Sequence, residues 1–325
     1  MHIAVLDDYQ DVALKMADWS ALGPQIAIRA FQDHLQDMDA VAARLRLFEV
    51  IVAMRERTPF PRALLEQLPA LRLLVTTGMS NAAIDVDGAT ALGITACGTE
   101  GRKHTTAELT WGLILALVRH IPQEDRAIRE GQWQMTVGTA LRGKVLGILG
   151  LGTIGAQVAA VGRAFGMPVI AWSQNLTAQR AAECGATLVT RDRLFTEADV
   201  LTIHLVLSER TRGLVGAREM ALMKPTACLI NTSRGPIVDE AALVDALRRG
   251  IVAGAALDVF DEEPLPPDHP FRRLPNMVVT PHVGYVTAEN YRLFYGQAVE
   301  DIQAFLRGDP IRVLNPAVLA SERRR

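Results

Sequence analysis

The sequence lacks most of the features that mark unusual protein classes. It has only three cysteines and no C-x-x-C pair, so it predicts ordinary thiols in a reducing compartment rather than a disulfide framework. Its net charge is −2 and its one basic run is Arg323-Arg324-Arg325, which argues against nucleic-acid binding. It has no apolar stretch of membrane-spanning length and no signal-peptide pattern at its start. We therefore expect a cytoplasmic protein with no nucleic-acid, membrane or metal partner.

The length of 325 residues predicts about two domains, and the apolar share of 49% is enough for a sizeable core. In the first hundred residues, apolar strands alternate with amphipathic helical segments, which indicates a parallel sheet covered on both faces. The first helix is predicted over residues 11–22 and stops at Gly23-Pro24. Strands are predicted over residues 2–6, 25–31, 50–54, 71–77 and 94–97.

A second series of strands and helices follows a polar, glycine-bearing boundary at residues 98–104 and a long helix over residues 105–120. The region 123–141 is polar and carries Trp133. The fold class is therefore α/β with two doubly wound parallel-sheet domains. A last long helix, 289–306, has no strand after it, so we expect it to return to the first domain.

The second series begins with a glycine-rich turn. The apolar run Val145–Leu149 leads into Gly150-x-Gly152-x-x-Gly155, and an alanine-rich amphipathic segment follows. This strand–turn–helix context is typical of a dinucleotide-binding fingerprint. A pyrophosphate would meet the N–H groups of Thr153 and Ile154 at the helix start. The alternative is a glycine-rich turn that binds nothing.

Several reactive side chains fall at strand ends in the second series, where open α/β sheets bind their ligands. They include Arg234, Glu263 and His282. An arginine can bind a carboxylate through two nitrogens, a histidine can exchange a proton with a carbonyl or hydroxyl oxygen, and a carboxylate can orient the imidazole. Each of these residues alone is more often structural, and only their joint placement favours a redox site.

At these motifs the sequence resembles the D-isomer-specific 2-hydroxyacid dehydrogenases, the family of phosphoglycerate, glycerate and hydroxypyruvate dehydrogenases. The resemblance covers nearly the whole chain. It implies a flavodoxin-like substrate domain from residues 1–100 and 286–325, and a Rossmann-type NAD(P)-binding domain over residues 101–285. The motifs that carry it are residues 150–155, 231–235 (Asn-Thr-Ser-Arg-Gly), 256–264 (Ala-Leu-Asp-Val-Phe ending in Glu-Pro) and 280–284 (Thr-Pro-His-Val-Gly).

The resemblance also implies roles for single residues. Arg234 would bind the substrate carboxylate and carbonyl, His282 would act as the acid/base, and Glu263 would be its partner. Besides the fingerprint residues, the implied cofactor contacts are Thr106, Ser173, Gln174, His204, Thr232 and Asp258. The implied substrate contacts in the first domain are the N–H groups of Gly78, Met79 and Ser80, and Arg55, with Arg57 near it. The alternative for the two arginines is a solvated loop that pairs with Glu56.

The sequence departs from the family pattern at Ser173. NAD-specific members usually carry an acidic residue at this strand end to hold the adenosine ribose hydroxyls. Ser173 lacks the charge that would repel a 2′-phosphate, and the next residues, Gln174 and Asn175, offer no arginine to bind one. The cofactor is therefore NAD or NADP, with the choice open.

These features predict an NAD(P)-dependent reductase of small 2-keto acids such as glyoxylate or hydroxypyruvate. The substrate is expected between the two domains. The alternative is an NAD(H)-sensing, corepressor-like binding protein, against which the complete Arg234, Glu263 and His282 set argues. A formate-type dehydrogenase is disfavoured because those relatives pair the histidine with an amide. The resemblance further implies a homodimer whose arm lies at about residues 105–141.

Overall fold

Two separate parallel sheets account for the alternating strands and helices of the sequence. A computed structural model of the protein describes residues 1–322. The chain divides into two units, the first formed by residues 1–102 with the chain from residue 286 onward, and the second by residues 103–285. Both are α/β, which confirms the predicted fold class.

The first unit is built on a five-stranded sheet with the strand order β2-β1-β3-β4-β5. All its strand pairs are parallel, and this order is the flavodoxin-like one. Its strands are β1 (His2–Val5), β2 (Ala27–Ala30), β3 (Val50–Ala53), β4 (Leu73–Thr76) and β5 (Thr95–Gly98). Its first helices are α1 (Met38–Leu45), α2 (Arg62–Leu65) and α3 (Val86–Ala91).

The predicted helix over residues 11–22 is wrong. The structure has two short 3-10 helices there, Ala13–Lys15 and Trp19–Leu22. The buried Asp8 carboxylate accepts the N–H groups of Val12 and Ala13, and the indole N–H of Trp19 donates to the carbonyl of Ala13. These local bonds satisfy backbone groups that an α-helix would otherwise use.

The second unit is built on a seven-stranded parallel sheet with the order β12-β11-β10-β9-β6-β7-β8. The order reverses between β6 and β9, as in Rossmann-type sheets. Its strands are β6 (Leu146–Leu149), β7 (Val169–Trp172), β8 (Thr187–Leu188), β9 (Val200–Ile203), β10 (Cys228–Asn231), β11 (Gly254–Leu257) and β12 (Met277–Val279). Its helices are α4 (His104–Val118), α5 (Ile121–Arg129), α6 (Thr153–Ala164), α7 (Ala178–Glu183), α8 (Arg191–Glu197), α9 (Ala217–Leu222) and α10 (Glu240–Arg248).

Side chains alternate between the two faces of this sheet. Leu146 and Ile148 of β6 pack into a core with α4 and α6, whereas Leu149 packs into a second core with α8, α9 and α10. This alternation follows from the two-residue period of a strand. The sheet therefore lies between two layers of helices, and loops follow the carboxyl ends of its strands.

Two details of the second unit differ from expectation. Helix α4 begins at His104, one residue before the predicted start, and its N-cap residue, Lys103, makes no side-chain capping bond. The polar region after it contains a helix, α5, that its sequence did not indicate. Among the described residues, no helix is both long enough and apolar enough to cross a membrane.

The chain ends in the first unit. Helix α11 (Ala288–Leu306) is capped by the Thr287 side chain, and α12 (Ala317–Glu322) follows. Between them, Val313 pairs with Cys97 of β5 in antiparallel fashion. Gly98 donates its N–H to the carbonyl of Arg312, and Leu314 donates to the carbonyl of Ala96. The last segment therefore covers the β5 edge of the first sheet.

Candidate active site

The glycine-rich turn connects β6 to α6. Gly150 has φ +102°, a conformation that side chains rarely adopt. A Cβ at Gly155 would lie 2.2 Å from the carbonyl oxygen of Gly150. A Cβ at Gly152 would meet nothing among the described residues within 4 Å. Since Thr153 and Ile154 carry first-turn N–H groups that lack helical acceptors, the turn offers open space and donors where a pyrophosphate would fit.

The adjacent strand, β7, ends at Trp172. Ser173 after it is half-buried and Gln174 is exposed. Thr177 caps α7 by accepting the N–H of Arg180, whose guanidinium pairs with Glu183 at 3.4 Å. The end of this strand therefore presents a hydroxyl and an amide, and the first basic residue after them in the sequence, Arg180, is already paired.

His204 follows β9, on the other side of the turn. Its Nε2 lies 2.9 Å from the hydroxyl oxygen of Thr202. Burial lowers the pKa of His204 to about 3, so its imidazole is neutral at physiological pH. Its carbonyl oxygen would lie 2.7 Å from a Cβ at Gly150. His204 thus lines the point where the strand order reverses.

The loop after β10 positions Arg234. The side chain of Asn231 donates to the carbonyl of Arg234 and accepts the N–H of Ser233, and the Ser233 hydroxyl donates to the carbonyl of Leu205. The Arg234 guanidinium is half-buried and donates to the carbonyl of Ser233 at 2.8 Å. The loop therefore holds the backbone of Arg234 on both sides.

Helix α4 contributes hydroxyl groups to the second unit. Thr110 Oγ1 lies 2.8 Å from the hydroxyl of Thr232 and donates to the carbonyl of Thr106. Thr106 in turn donates to the carbonyl of Gly284 at 3.3 Å. Sequence reasoning missed Thr110; its four-residue spacing from Thr106 on one helix is the signal that could have found it.

Asp258 binds the loop that carries His282. Its buried carboxylate accepts the Thr280 hydroxyl at 2.6 Å and the N–H groups of Val283 and Gly284, each at 2.9 Å. Burial raises the pKa of Asp258, against the lowering effect of these bonds. His282 has φ +53°, a strained conformation that this anchoring maintains.

His282 and Glu263 form a close pair. The Nδ1 atom of His282 lies 2.6 Å from Oε2 of Glu263, and the other carboxylate oxygen accepts the N–H of Phe260 at 2.9 Å. The edge of the Tyr285 ring packs against the imidazole at a centroid distance of 5.5 Å. With Nδ1 engaged, Nε2 is the nitrogen through which the ring can exchange a proton.

In the first unit, the predicted substrate loops follow β3 and β4. The Arg55 N–H donates to the Thr77 hydroxyl, and its guanidinium donates to the carbonyl of Thr77. The Gly78 N–H donates to the Thr99 hydroxyl at 3.0 Å. That N–H therefore has an acceptor within the protein, whereas Met79 and Ser80, the other two predicted donors, are exposed residues.

Arg57 lies in the same unit. Its guanidinium donates to the carbonyl of Asp7 at 2.7 Å and stacks 4.6 Å from the centroid of the Tyr9 ring. The Asp7 carboxylate accepts from the Thr58 hydroxyl and contacts His34. Arg57 is thus held by specific contacts, whereas Arg55 lies 3.5 Å from the Glu56 carboxylate, the pairing that the solvated-loop alternative expects.

Comparison with known proteins identifies the family. The family described as "D-isomer specific 2-hydroxyacid dehydrogenase, NAD binding domain" matches residues 111–284. The chain is also 44% identical over 267 residues to a glyoxylate reductase from Aeropyrum pernix, covering 79% of this chain and 80% of that protein. The chain belongs to the D-isomer-specific 2-hydroxyacid dehydrogenase family. It is an oxidoreductase of 2-hydroxy or 2-keto acids that uses a nicotinamide cofactor.

Other relatives agree with membership of this dehydrogenase family. A D-3-phosphoglycerate dehydrogenase from Archaeoglobus fulgidus is 38% identical over 269 residues, covering 82% of this chain but only 51% of that protein. The crystal structure of a phosphoglycerate oxidoreductase from Vibrio cholerae matches with a TM-score of 0.90 at 37% identity, covering 95% of this chain and 99% of that one. The predicted dehydrogenase family and enzyme class are therefore confirmed.

Proposed function

We propose that the enzyme reduces a small 2-keto acid, such as glyoxylate or hydroxypyruvate, to the 2-hydroxy acid with NADH or NADPH. The observation that carries this proposal is the pairing of His282 with Glu263 at 2.6 Å, in a unit that also presents Arg234 and a glycine-rich turn at strand ends. The name of the Aeropyrum pernix relative, glyoxylate reductase, supports the substrate class.

In this proposal the second unit, residues 103–285, binds the cofactor, and its side chains have separate roles in the reaction. The nicotinamide supplies the hydride when it is bound. Arg234 binds the substrate carboxylate and carbonyl oxygen through its planar guanidinium. His282 donates the Nε2 proton to the oxygen that becomes the hydroxyl, while Glu263 holds Nδ1 and stabilises the imidazolium. Asp258 keeps His282 in place through its bonds to the 280–284 loop.

The first unit is proposed to supply substrate contacts. The N–H groups of Met79 and Ser80 would receive the carboxylate, because the Gly78 N–H already donates to Thr99. Gly78 itself would allow the turn, which has φ +109° there. Arg55, whose guanidinium donates to Thr77 and also lies 3.5 Å from the Glu56 carboxylate, would add a second, partly neutralised contact beside this turn.

The experiment is an assay of NADH and NADPH oxidation with glyoxylate, hydroxypyruvate, pyruvate and phenylpyruvate. Turnover of at least one keto acid is expected, and no turnover with any of them would overturn the proposal. The variant His282→Ala is expected to lower kcat by about 10²- to 10⁴-fold, the usual contribution of a general acid. NADH binding, followed by fluorescence, should be unchanged. Near-full turnover by this variant would refute the acid/base role.

We also propose that the enzyme is a homodimer. The support is a set of apolar side chains on and after α5 that the chain leaves exposed. They are Ile121 (51% exposed), Ile128 (51%), Trp133 (75%), Met135 (56%) and Val137 (92%). An apolar patch of this kind on a water-soluble enzyme usually marks an interface with another protein.

A cytoplasmic location is the last part of the proposal. All three cysteines, Cys97, Cys184 and Cys228, are free, which suits a reducing compartment. Cell fractionation would test it, with recovery in an oxidising compartment as the contrary result.

A further inference from the structure

Glu240 is a carboxylate that the proposed chemistry does not use. It is the first residue of α10 and is 17% exposed. One oxygen, Oε1, accepts the backbone N–H of Asp261 at 2.8 Å, and the other, Oε2, lies 3.2 Å from Nε2 of His269. It thus contacts the segment that carries Glu263 at two points.

The peptide bond between Phe260 and Asp261 is the group that Glu240 holds. A Cβ at Gly235 would lie 2.0 Å from the carbonyl carbon of Phe260 and 2.5 Å from the nitrogen of Asp261. The backbone next to Arg234 therefore packs directly on this peptide bond, and only glycine allows so close an approach. The preceding peptide group contributes the N–H of Phe260, which donates to Glu263. The backbone of Phe260 thus connects the supports of Arg234 and Glu263.

The contacts of His269 fix the orientation of its ring. Its Nδ1 accepts the N–H of Phe271 at 3.3 Å. This contact leaves Nε2 facing the Glu240 carboxylate at 3.2 Å. The imidazole also packs on the Phe271 ring at 4.7 Å, and Phe271 packs on Phe260. His269 therefore fixes the orientation of the Glu240 carboxylate from the far end of the loop.

From this geometry we propose that Glu240, oriented by His269, is a positioning residue that holds the Phe260–Asp261 peptide bond and thereby places Glu263 and Arg234 for catalysis. The inference rests on the proposed roles of Glu263, His282 and Arg234. A simpler role would be to stabilise the N-terminus of α10, where a negative charge is favourable. If Glu240 is a positioning residue, loss of its carboxylate changes the geometry of the His282–Glu263 pair. If it only stabilises the N-terminus of α10, the loss changes only the stability of that helix.

The test compares three variants of the 325-residue chain with a matched control. Glu240→Ala removes the carboxylate. Glu240→Asp keeps the charge at the helix N-terminus but shortens the reach, and it protects the test against failure of the alanine variant to fold. Glu240→Gln keeps an oxygen that can accept the Asp261 N–H. The control is Glu219→Ala, because Glu219 also lies in the first turn of a helix and accepts a backbone N–H, that of Gly216 at 3.1 Å.

Two measurements are made on each variant. The first is kcat and KM for the keto acid and NADH. The second is the low-field proton NMR signal of the His282 Nδ1–H, identified by its loss in His282→Ala, which reports the bond to Glu263 without any turnover. We expect Glu240→Ala and Glu240→Asp to lower kcat by about 10- to 100-fold, the cost of misplacing a catalytic group by about 1 Å. The KM for NADH should not change, and the low-field signal should broaden or disappear.

Glu240→Gln should keep most of the activity and the signal. Glu219→Ala should lower the melting temperature and leave both readouts unchanged. The proposal is overturned if Glu240→Ala and Glu240→Asp keep the kcat of Glu219→Ala, or if the His282 signal is unaffected in both. If the wild-type enzyme reduces no keto acid, the proposed function fails, and the NMR signal alone still decides whether Glu240 positions Glu263.

Discussion

Among single residues, Asp301 is a buried carboxyl group in α11 that makes stability depend on pH. Its Oδ1 accepts from Nε of Arg312 at 2.9 Å, whereas Oδ2 has no hydrogen-bond partner within residues 1–322. Burial raises the pKa of Asp301 from 3.8 to about 7, and Arg312 only partly opposes this effect. The folded protein therefore keeps a proton that the unfolded chain has already lost at pH 5.

Because the folded state binds this proton more tightly, Asp301 contributes stability at low pH that is lost as the pH rises to about 7. The variant Asp301→Asn is neutral at every pH and should lack this dependence. Relative to it, the wild-type free energy of unfolding should fall by up to about 3 kcal/mol between pH 5 and pH 8, because stability changes by about 1.4 kcal/mol per pH unit from pH 5 up to the folded-state pKa of about 7. Urea denaturation at both pH values measures it. Parallel changes in the two proteins would contradict the assignment.

Ser173 is the residue on which cofactor choice should depend. Ser173→Asp adds a carboxylate at the end of β7, which repels a 2′-phosphate and can bind ribose hydroxyls. We expect this variant to lose about 1.4 kcal/mol or more of NADPH binding free energy, which is a tenfold or larger rise in the Kd for NADPH. NADH binding should stay equal or improve. Ser173→Ala, which removes the hydroxyl without adding charge, is the control. Equal losses for both cofactors in the aspartate variant would disprove this role.

At the scale of elements, two glycines of the turn between β6 and α6 should have different roles, one in NADH binding and the other in the stability of the fold. Gly152→Ala adds a methyl group where no described residue lies within 4 Å, whereas Gly155→Ala adds one 2.2 Å from the carbonyl oxygen of Gly150. We expect Gly152→Ala to keep the wild-type melting temperature and to weaken NADH binding at least tenfold, because the methyl group occupies the proposed pyrophosphate space. Gly155→Ala should lower the melting temperature. Calorimetry and fluorescence titration measure the two effects, and full NADH affinity in Gly152→Ala would argue against the site.

The strands were the elements that the sequence predicted best. Buried parallel strands such as β3 and β4 are continuous apolar runs bounded by polar residues, so their pattern is visible locally. The segment after β1 was not predictable in this way, because its 3-10 helices depend on bonds from the Asp8 side chain and the Trp19 indole. Helix α5 was missed for another reason, since its exposed apolar residues do not follow the pattern of a helix packed on its own core.

The candidate site was predictable to a similar degree. Arg234 and His282 follow strands, and parallel strands bring their ends to one edge, so their placement could be predicted from order alone. The contact between Glu240 and Asp261 could not, because 21 residues separate the two and a glutamate at a helix start already has a local explanation. The hydrogen bond from Gly78 to Thr99 could not be predicted either, because 21 residues separate the two.

For the whole molecule, the exposed patch on and after α5 leads to a prediction of assembly. The chain has a mass of 35.4 kDa, so light scattering should report about twice that value for the proposed dimer. Trp133→Glu combined with Val137→Glu places two charges in the patch and should yield a monomer. Leu47→Glu is the matched control, since Leu47 is 72% exposed in the first unit. Dissociation by the control, or none by the double variant, would place the interface elsewhere.

The last segment of the chain, which pairs with β5, also affects the order of events during synthesis. The second unit is continuous from residue 103 to residue 285, so all of its strands are translated before α11. The first unit begins earlier, yet its β5 edge stays uncovered until residues 312–314 arrive. Domains generally fold as they emerge. In this enzyme the unit that is started first is therefore the one that is completed last, and its open edge is exposed to wrong pairing throughout translation of the other unit.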